Sequence, residues 1–465
     1  MKELSAIILA DAAHAKLLGR EDTAVKDIVI DSRAAGPEVM FVCIIGEIND
    51  GHKFAESAYG LGSRVFLMSD EKAAEAMLSA HDDACVILCD DTNIAFRDMA
   101  KWYIDDLGVR KIGVTGSVGK TTTKALTAAV LAEQYNVVCA QKNYNTHLGM
   151  CMTSFLADDS TDFIVFEMGM DRKNEIHEYC EWVRPETALI TVIADSHLER
   201  LGSHEAIADA KLEITHFMTD ECRLIYNADS PFLDDENLKN RTKMNFTAIP
   251  VGKGKDAAFV LSDVELKGIG GVSFRLTGGG ESHIFELPLL GEHNAANAAL
   301  AIACGMQYGI PMELAAAALK NARGTEKRLA FEHVNGMLLL DDSYNANPAS
   351  MIAGLSVLDN VEAERKIAVL ADMYELGSDE IPGHFKVGEK AGEVCDVLFA
   401  AGKHADLYEE GARKVSERIK VFRFPDAKAA EDAVLAFVKS GDAVLVKGSN
   451  STKVSVIAEK IRDLK

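Results

Sequence analysis

Short unbroken apolar runs alternate along this chain with stretches that carry apolar residues at helical spacing. An unbroken run suits a strand covered on both faces, whereas a strand with one wet face alternates apolar and polar positions. The first hundred residues place Ile28–Ile30, Met40–Ile45, Val65–Met68 and Val86–Leu88 between helical stretches. From Lys111 onward the pattern is βαβ, with runs at Val137–Ala140, Phe163–Phe166, Ala188–Ile193 and Leu224–Tyr226. Near 258–290 the texture changes to alternation around turn glycines (Val272–Thr277, Gly278 to Gly280, Ile284–Leu287), which predicts a small antiparallel section. An Ala-rich helix over Ala295–Met306 follows, then a polar stretch around Gly324. A further α/β region carries Met337–Leu340, Ile367–Leu370, Val397–Ala400 and Ala443–Val446. The pattern predicts an α/β protein of three domains, 1–108, 109–324 and 325–465.

The run Lys111-Ile112-Gly113-Val114-Thr115 leads into Gly116-Ser117-Val118-Gly119-Lys120-Thr121-Thr122-Thr123, after which Leu126, Val130 and Leu131 mark an amphipathic helix. Strand, glycine loop and helix N-terminus in this order form a phosphate cradle. Loop N–H groups face the anion, Lys120 reaches the outer phosphates, and the Thr121 hydroxyl is placed for Mg²⁺. Gly116 and Gly119 enclose two residues where the usual pattern has four. An ordinary strand-to-helix turn is therefore the competing reading.

Composition narrows the function classes. Against 49 basic residues stand 72 acidic ones, a net charge of −23, which opposes non-specific binding to nucleic acid or anionic membrane. No apolar run approaches the roughly 20 residues of a membrane span, and the N-terminal residues lack a basic-then-apolar export pattern. Nine scattered cysteines without a Cys-x-x-Cys pair predict reduced thiols and a cytoplasmic protein.

Three further residues carry chemistry. Glu167 ends the run Phe163–Phe166, and a carboxylate at the carboxyl end of a parallel strand faces the ligand crevice and can serve Mg²⁺. The alternative is a solvated strand-end carboxylate. His197 follows the next run, and its alternative is a hydrogen-bonded structural histidine. Lys211 shares an apolar stripe with Ile207 and Ile214. Either its ammonium snorkels to water, or a desolvated amine with depressed pKa is available to react with CO₂ and form a carbamate.

Val114 to Thr122, Phe166-Glu167-Met168-Gly169, Ser196-His197-Leu198-Glu199, Ala210-Lys211-Leu212-Glu213-Ile214, Gly291 to Asn297 and Asp341 to Pro348 stand in the order seen in the Mur ligase superfamily, which the chain resembles nearly end to end. Asp31-Ser32-Arg33, Asp50 to Phe54, Ala371 to Gly377 with His384, and Lys447-Gly448-Ser449 resemble the branch that joins D-alanyl-D-alanine to UDP-N-acetylmuramoyl-tripeptide. The resemblance implies a central ATPase domain on a parallel sheet, flanked by an N-terminal UDP-sugar domain and a C-terminal Rossmann-like domain. It implies ATP, two Mg²⁺ ions and a carbamylated Lys211, with Lys120, Glu167, His197, Lys211 and Arg328 catalytic. Gly116, Ser117, Gly119, Thr121, Thr122, Asn294, Asn297 and Asp342 join Lys120 and Arg328 at the nucleotide. Thr121, Glu167, His197 and Lys211 serve the metal. Ser32, Arg33, Asn145, Tyr344 and Asn345 face the substrates. A cytoplasmic monomer that binds no nucleic acid and enters no membrane is expected. The alternatives are an amide ligase of the folylpolyglutamate or cyanophycin type and a non-catalytic nucleotide-binding homologue. Asn174 and Lys327 stand where the family places glycine, and Asn450 where it often places arginine.

Overall fold

The computed structural model describes residues 1–20, 22–46, 48–140, 144–194 and 198–464. The chain divides into two compact units. The first comprises residues 1–113, 134–169 and 177–187, and the second comprises 114–133, 170–176 and 188–465.

In the first unit a five-stranded sheet has the order Lys16–Gly19, Cys85–Leu88, Val65–Met68, Val39–Val42, Asp27–Val29. The last four run parallel, and Lys16–Gly19 closes one edge antiparallel. Phe41, Phe66, Met68, Met77 and Val86 form its core against the helix Ala55–Leu61 and the helix Glu71–Ala80. Asp70 starts the second of these helices by accepting the N–H groups of Lys72 and Ala73. The long helix Thr92–Leu107 leads out, capped by Asp91 and closed by Gly108 in a left-handed turn. Phe163–Glu167 and Val137–Cys139 pair in parallel in the same unit.

In the second unit Arg223–Asn227, Thr247–Gly252 and Phe259–Leu266 run parallel, after which Val272–Gly278 and Glu281–Leu287 complete an antiparallel meander. The expected antiparallel section is thus present. The helix His293–Gln307 is buried along most of its length, which its run of alanines permits. A six-stranded sheet follows, ordered Ala330–Val334, Met337–Asp342, Asp442–Lys447, Arg365–Ala371, Val397–Ala401, Lys420–Phe424. It is parallel except for its first strand. Helices cover both faces, so Met337–Asp342 and Asp442–Lys447 are buried at every position. The helix Pro348–Asp359 starts with a capping box between Asn347 and Ser350 and with proline in its first turn.

The run expected at Ala188–Ile193 is strand only over Thr187–Ile190. Beyond it the backbone turns to serve the glycine loop, with Ser117 N–H donating to Val192 C=O at 2.7 Å. Among the described residues no helix is long and apolar enough to cross a membrane.

Candidate functional site

Asn174 and Lys327, the two replacements of family glycines, both adopt left-handed backbone, with φ of 68° and 60°. Glycine reaches that region freely and asparagine tolerates it, whereas a lysine there is strained.

In the second unit the glycine loop is tied down on one side. Thr191 N–H donates to Thr115 C=O, Thr191 Oγ1–H to Val118 C=O at 2.6 Å, and Ser117 Oγ–H to Ala194 C=O at 2.8 Å. A Cβ on Gly116 would lie 1.9 Å from Thr191 Oγ1, and one on Gly119 would lie 2.5 Å from Asn297 Oδ1. Both residues have positive φ, so close packing and backbone conformation each demand glycine here. Gly119, the N-cap residue of the helix Lys120–Leu131, has no side chain to offer as a cap, and the positive dipole end of that helix suits an anion. Lys120 Nζ donates to Gly116 C=O at 2.8 Å and to Ser117 C=O at 3.3 Å, folding over the loop. Thr121 is buried at the start of the same helix, and Thr122 reaches the neighbouring cavity.

Lys211 lies in the last turn of the helix His204–Leu212 and is 1 % exposed. The snorkelling alternative is therefore wrong: the stem does not carry the nitrogen to water. Burial, with the charge of Lys120 in second place, holds its pKa well below the usual lysine range, while Glu213 and Asp171 oppose the shift. Glu213 is itself buried and accepts the Asn174 N–H at 2.7 Å.

Asn294 Nδ2–H donates to Leu290 C=O at 2.8 Å, and Asn297 Nδ2–H donates to Asn294 Oδ1 at 3.1 Å. This chain of amides orients both side chains beside Gly119. A cavity of about 190 Å³ opens between Thr122, Leu126, Asn294, Arg323, Arg328 and Phe331. Arg328 stacks on Tyr344 at 4.1 Å, and Tyr344 N–H donates to Lys327 C=O at 3.0 Å. Asp342 ends the strand Met337–Asp342. Its Oδ1 accepts Leu329 N–H at 3.1 Å and its Oδ2 meets Lys447 Nζ at 2.6 Å. Lys447 is 2 % exposed and also donates to Asn345 C=O at 3.0 Å. Asn345 offers that carbonyl inward while the residue itself is exposed.

Four candidates belong to the first unit. Glu167 is buried at the end of its strand, 1 % exposed, so the solvated alternative does not hold. Asn145 accepts Gly169 N–H through its carbonyl at 3.1 Å. Ser32 and Arg33 occupy the short turn Ser32–Ala34, where the Arg33 guanidinium grips Asp31 at 2.6 Å and holds that carboxyl down to about 2. His197 lies outside the described residues. The sequence reading missed Asp171 and Glu213 as the charges around Lys211, and Lys447 as the partner of Asp342. The motifs Ala210 to Ile214 and Lys447-Gly448-Ser449 contain Glu213 and Lys447, and no motif contains Asp171.

Residues 114–305 match the Mur ligase middle domain, and residues 327–450 match the Mur ligase glutamate ligase domain. The UDP-N-acetylmuramoyl-tripeptide–D-alanyl-D-alanine ligase of Bacillus subtilis (strain 168) is 35 % identical over 95 % of this chain and 94 % of its own. The chain belongs to that ligase family. The Haemophilus influenzae member is 30 % identical over 100 % of this chain and 99 % of its own. A crystal structure of the family's MurF enzyme from Acinetobacter baumannii superposes with a TM-score of 0.88 at 25 % identity, covering 100 % of both chains. Its α/β fold, rich in parallel sheet, is matched over the whole of this chain.

Proposed function

We propose that the chain is an ATP-dependent ligase that joins D-alanyl-D-alanine to UDP-N-acetylmuramoyl-tripeptide in the cytoplasm. The full-length similarity to ligases of that name carries the reading. A glycine loop leading into a helix N-terminus and a buried Lys211 support it. Residues 1–108 would hold the UDP-sugar end through Ser32 and Arg33, 109–324 the ATP, and 325–465 would close over it. Asn145, Tyr344 and Asn345 would face the peptide substrates.

A carboxylate is a poor electrophile at neutral pH, so it first attacks the γ-phosphorus of ATP. The new C–O–P linkage forms as the β–γ anhydride bond breaks and ADP leaves. The neutral amine of D-alanyl-D-alanine then attacks the carbonyl carbon. The C–N bond forms, phosphate departs with one carboxyl oxygen, and the nitrogen loses a proton. Lys120 supplies a fixed cation beside the transferring group, and loop N–H groups orient the phosphates. Asn294 and Asn297 orient the base, Asp342 the ribose, and Arg328 adds charge when the C-terminal part closes and excludes water. Mg²⁺ is a hard cation that prefers oxygen ligands; as the family resemblance implies, Thr121, Glu167 and the carbamate of Lys211 would supply oxygen and His197 nitrogen to two ions that would neutralise phosphate charge.

The test is a mass-resolved ligation assay with lysine- and diaminopimelate-containing tripeptides against a panel of dipeptides and amino acids. Product with D-alanyl-D-alanine is expected. Product only with glutamate or another single amino acid would assign the chain to a different amide ligase.

A further inference from the structure

The carboxyl ends of three neighbouring strands, Asp442–Lys447, Arg365–Ala371 and Val397–Ala401, are laced together by buried polar groups. Ser449 N–H donates to Asp372 C=O, and Tyr374 N–H donates to Ser449 Oγ, both at 3.0 Å. The Asp372 carboxylate accepts Lys403 N–H at 2.8 Å and His404 N–H at 3.1 Å. Met373 N–H donates to His384 Nε2 at 3.0 Å, and His384 Nδ1 lies 2.6 Å from Glu380 C=O. Asp372, His384 and His404 have the composition of a metal centre. With both nitrogens of His384 committed to the backbone, the cluster acts instead as a fastening for the loop that follows.

That loop seats on the short helix Leu198–Leu201, which immediately precedes the helix His204–Leu212 bearing Lys211. Glu199 N–H donates to Glu375 C=O at 3.3 Å. Gly377 has φ 54°, and a Cβ there would lie 3.0 Å from Glu199 Cα and 3.2 Å from Glu199 N. The Arg200 guanidinium spans Asp171 at 3.2 Å and Glu375 at 3.5 Å, and His204 Nε2 stands 3.9 Å from Asp379. A Cβ at Gly377 would require the Glu199 backbone to give by a few tenths of an ångström.

We propose that residues 373–379 form a docking strap that sets the segment 198–212, and with it Lys211, in place for ligation, Glu375 and Gly377 being its positioning residues. This rests on the ligase reading above. The Gly377→Asn variant separates docking from backbone strain, because asparagine tolerates left-handed φ yet brings the Cβ. In the full chain, amide exchange across 198–212 should quicken roughly tenfold while the sheet strands keep their protection. The kcat should fall roughly tenfold with the KM for ATP unchanged. Arg200→Gln, at an exposed position safe for folding, should give the same pattern at smaller amplitude. Unchanged exchange in Gly377→Asn overturns the docking, and faster exchange with wild-type kcat overturns the positioning role. Absence of ligation by the wild-type protein would defeat the ligase reading, while the exchange measurement still decides the strap.

Discussion

Replacing Lys447 with methionine keeps an unbranched stem and removes a charge that the fold has almost sealed from water. Its ammonium meets Asp342 Oδ2 at 2.6 Å, with side-chain exposures of 2 % and 12 %. Removing one partner strands the other as an unpaired buried charge, and such losses run at about 3–5 kcal/mol. Asp342 titrates above the ordinary carboxylate range of 3.8, because burial outweighs the opposing pull of Lys447. A carboxyl with a raised folded pKa binds more protons folded than unfolded. Its contribution to stability is present below the unfolded value and lost as pH rises through the folded one. Without Lys447 the folded value climbs further. The destabilisation of Lys447→Met should therefore be fullest at pH 7–8 and shrink toward pH 4, where Asp342 carries a proton. The double variant Asp342→Asn/Lys447→Met should regain most of the loss, because no charge is stranded. Both tryptophans, Trp102 and Trp182, lie in the first unit, so fluorescence does not report this site. Amide exchange of the strands Met337–Asp342 and Asp442–Lys447 against pH does. A loss below about 1 kcal/mol, or one that ignores pH, would refute the reasoning.

Lys120→Ala should abolish ligation while the protein stays folded, because neither helix dipole nor backbone donors replace a cation beside the transferring phosphoryl group; turnover measured with saturating ATP checks it. Lys211→Ala should lose most activity and regain part of it with excess short carboxylic acids, whereas Lys211→Arg should stay inactive because guanidinium keeps its charge. Ligation rates with and without added acetate decide between these outcomes. His293 is pushed down to about 4 by burial and then by Lys447. The unfolded state therefore binds the extra proton first, and stability should fall as pH drops from the ordinary value of 6.5 toward 4. Urea unfolding across that range should show a shallower slope in His293→Gln.

The strands that carry the fold were legible because they are buried on both faces. Val65–Met68 and Val397–Ala401 are buried at every position, so the sequence shows unbroken apolar runs. Lys16–Gly19 and Lys420–Phe424 are edge strands with largely open positions, and no run marks them. Thr247–Gly252 contains Pro250, which disguises a strand. At the site, the glycine loop is local in sequence and readable as such. Lys211 was visible through its stripe, but only packing shows that its nitrogen stays dry. Asp171 acts on Lys211 from a distant loop, and Asp342 finds Lys447 across 105 positions. No spacing rule encodes contacts of that range.

In the proposed reaction, amide formation passes through a phosphorylated carboxyl group on the muramoyl tripeptide. Tripeptide labelled with ¹⁸O in its reacting carboxylate, incubated with ATP and D-alanyl-D-alanine, tests this in one mass measurement of both products. The account predicts a pentapeptide nucleotide together with inorganic phosphate that carries one labelled oxygen from the carboxylate. Unlabelled phosphate, or ADP released without pentapeptide, would contradict it.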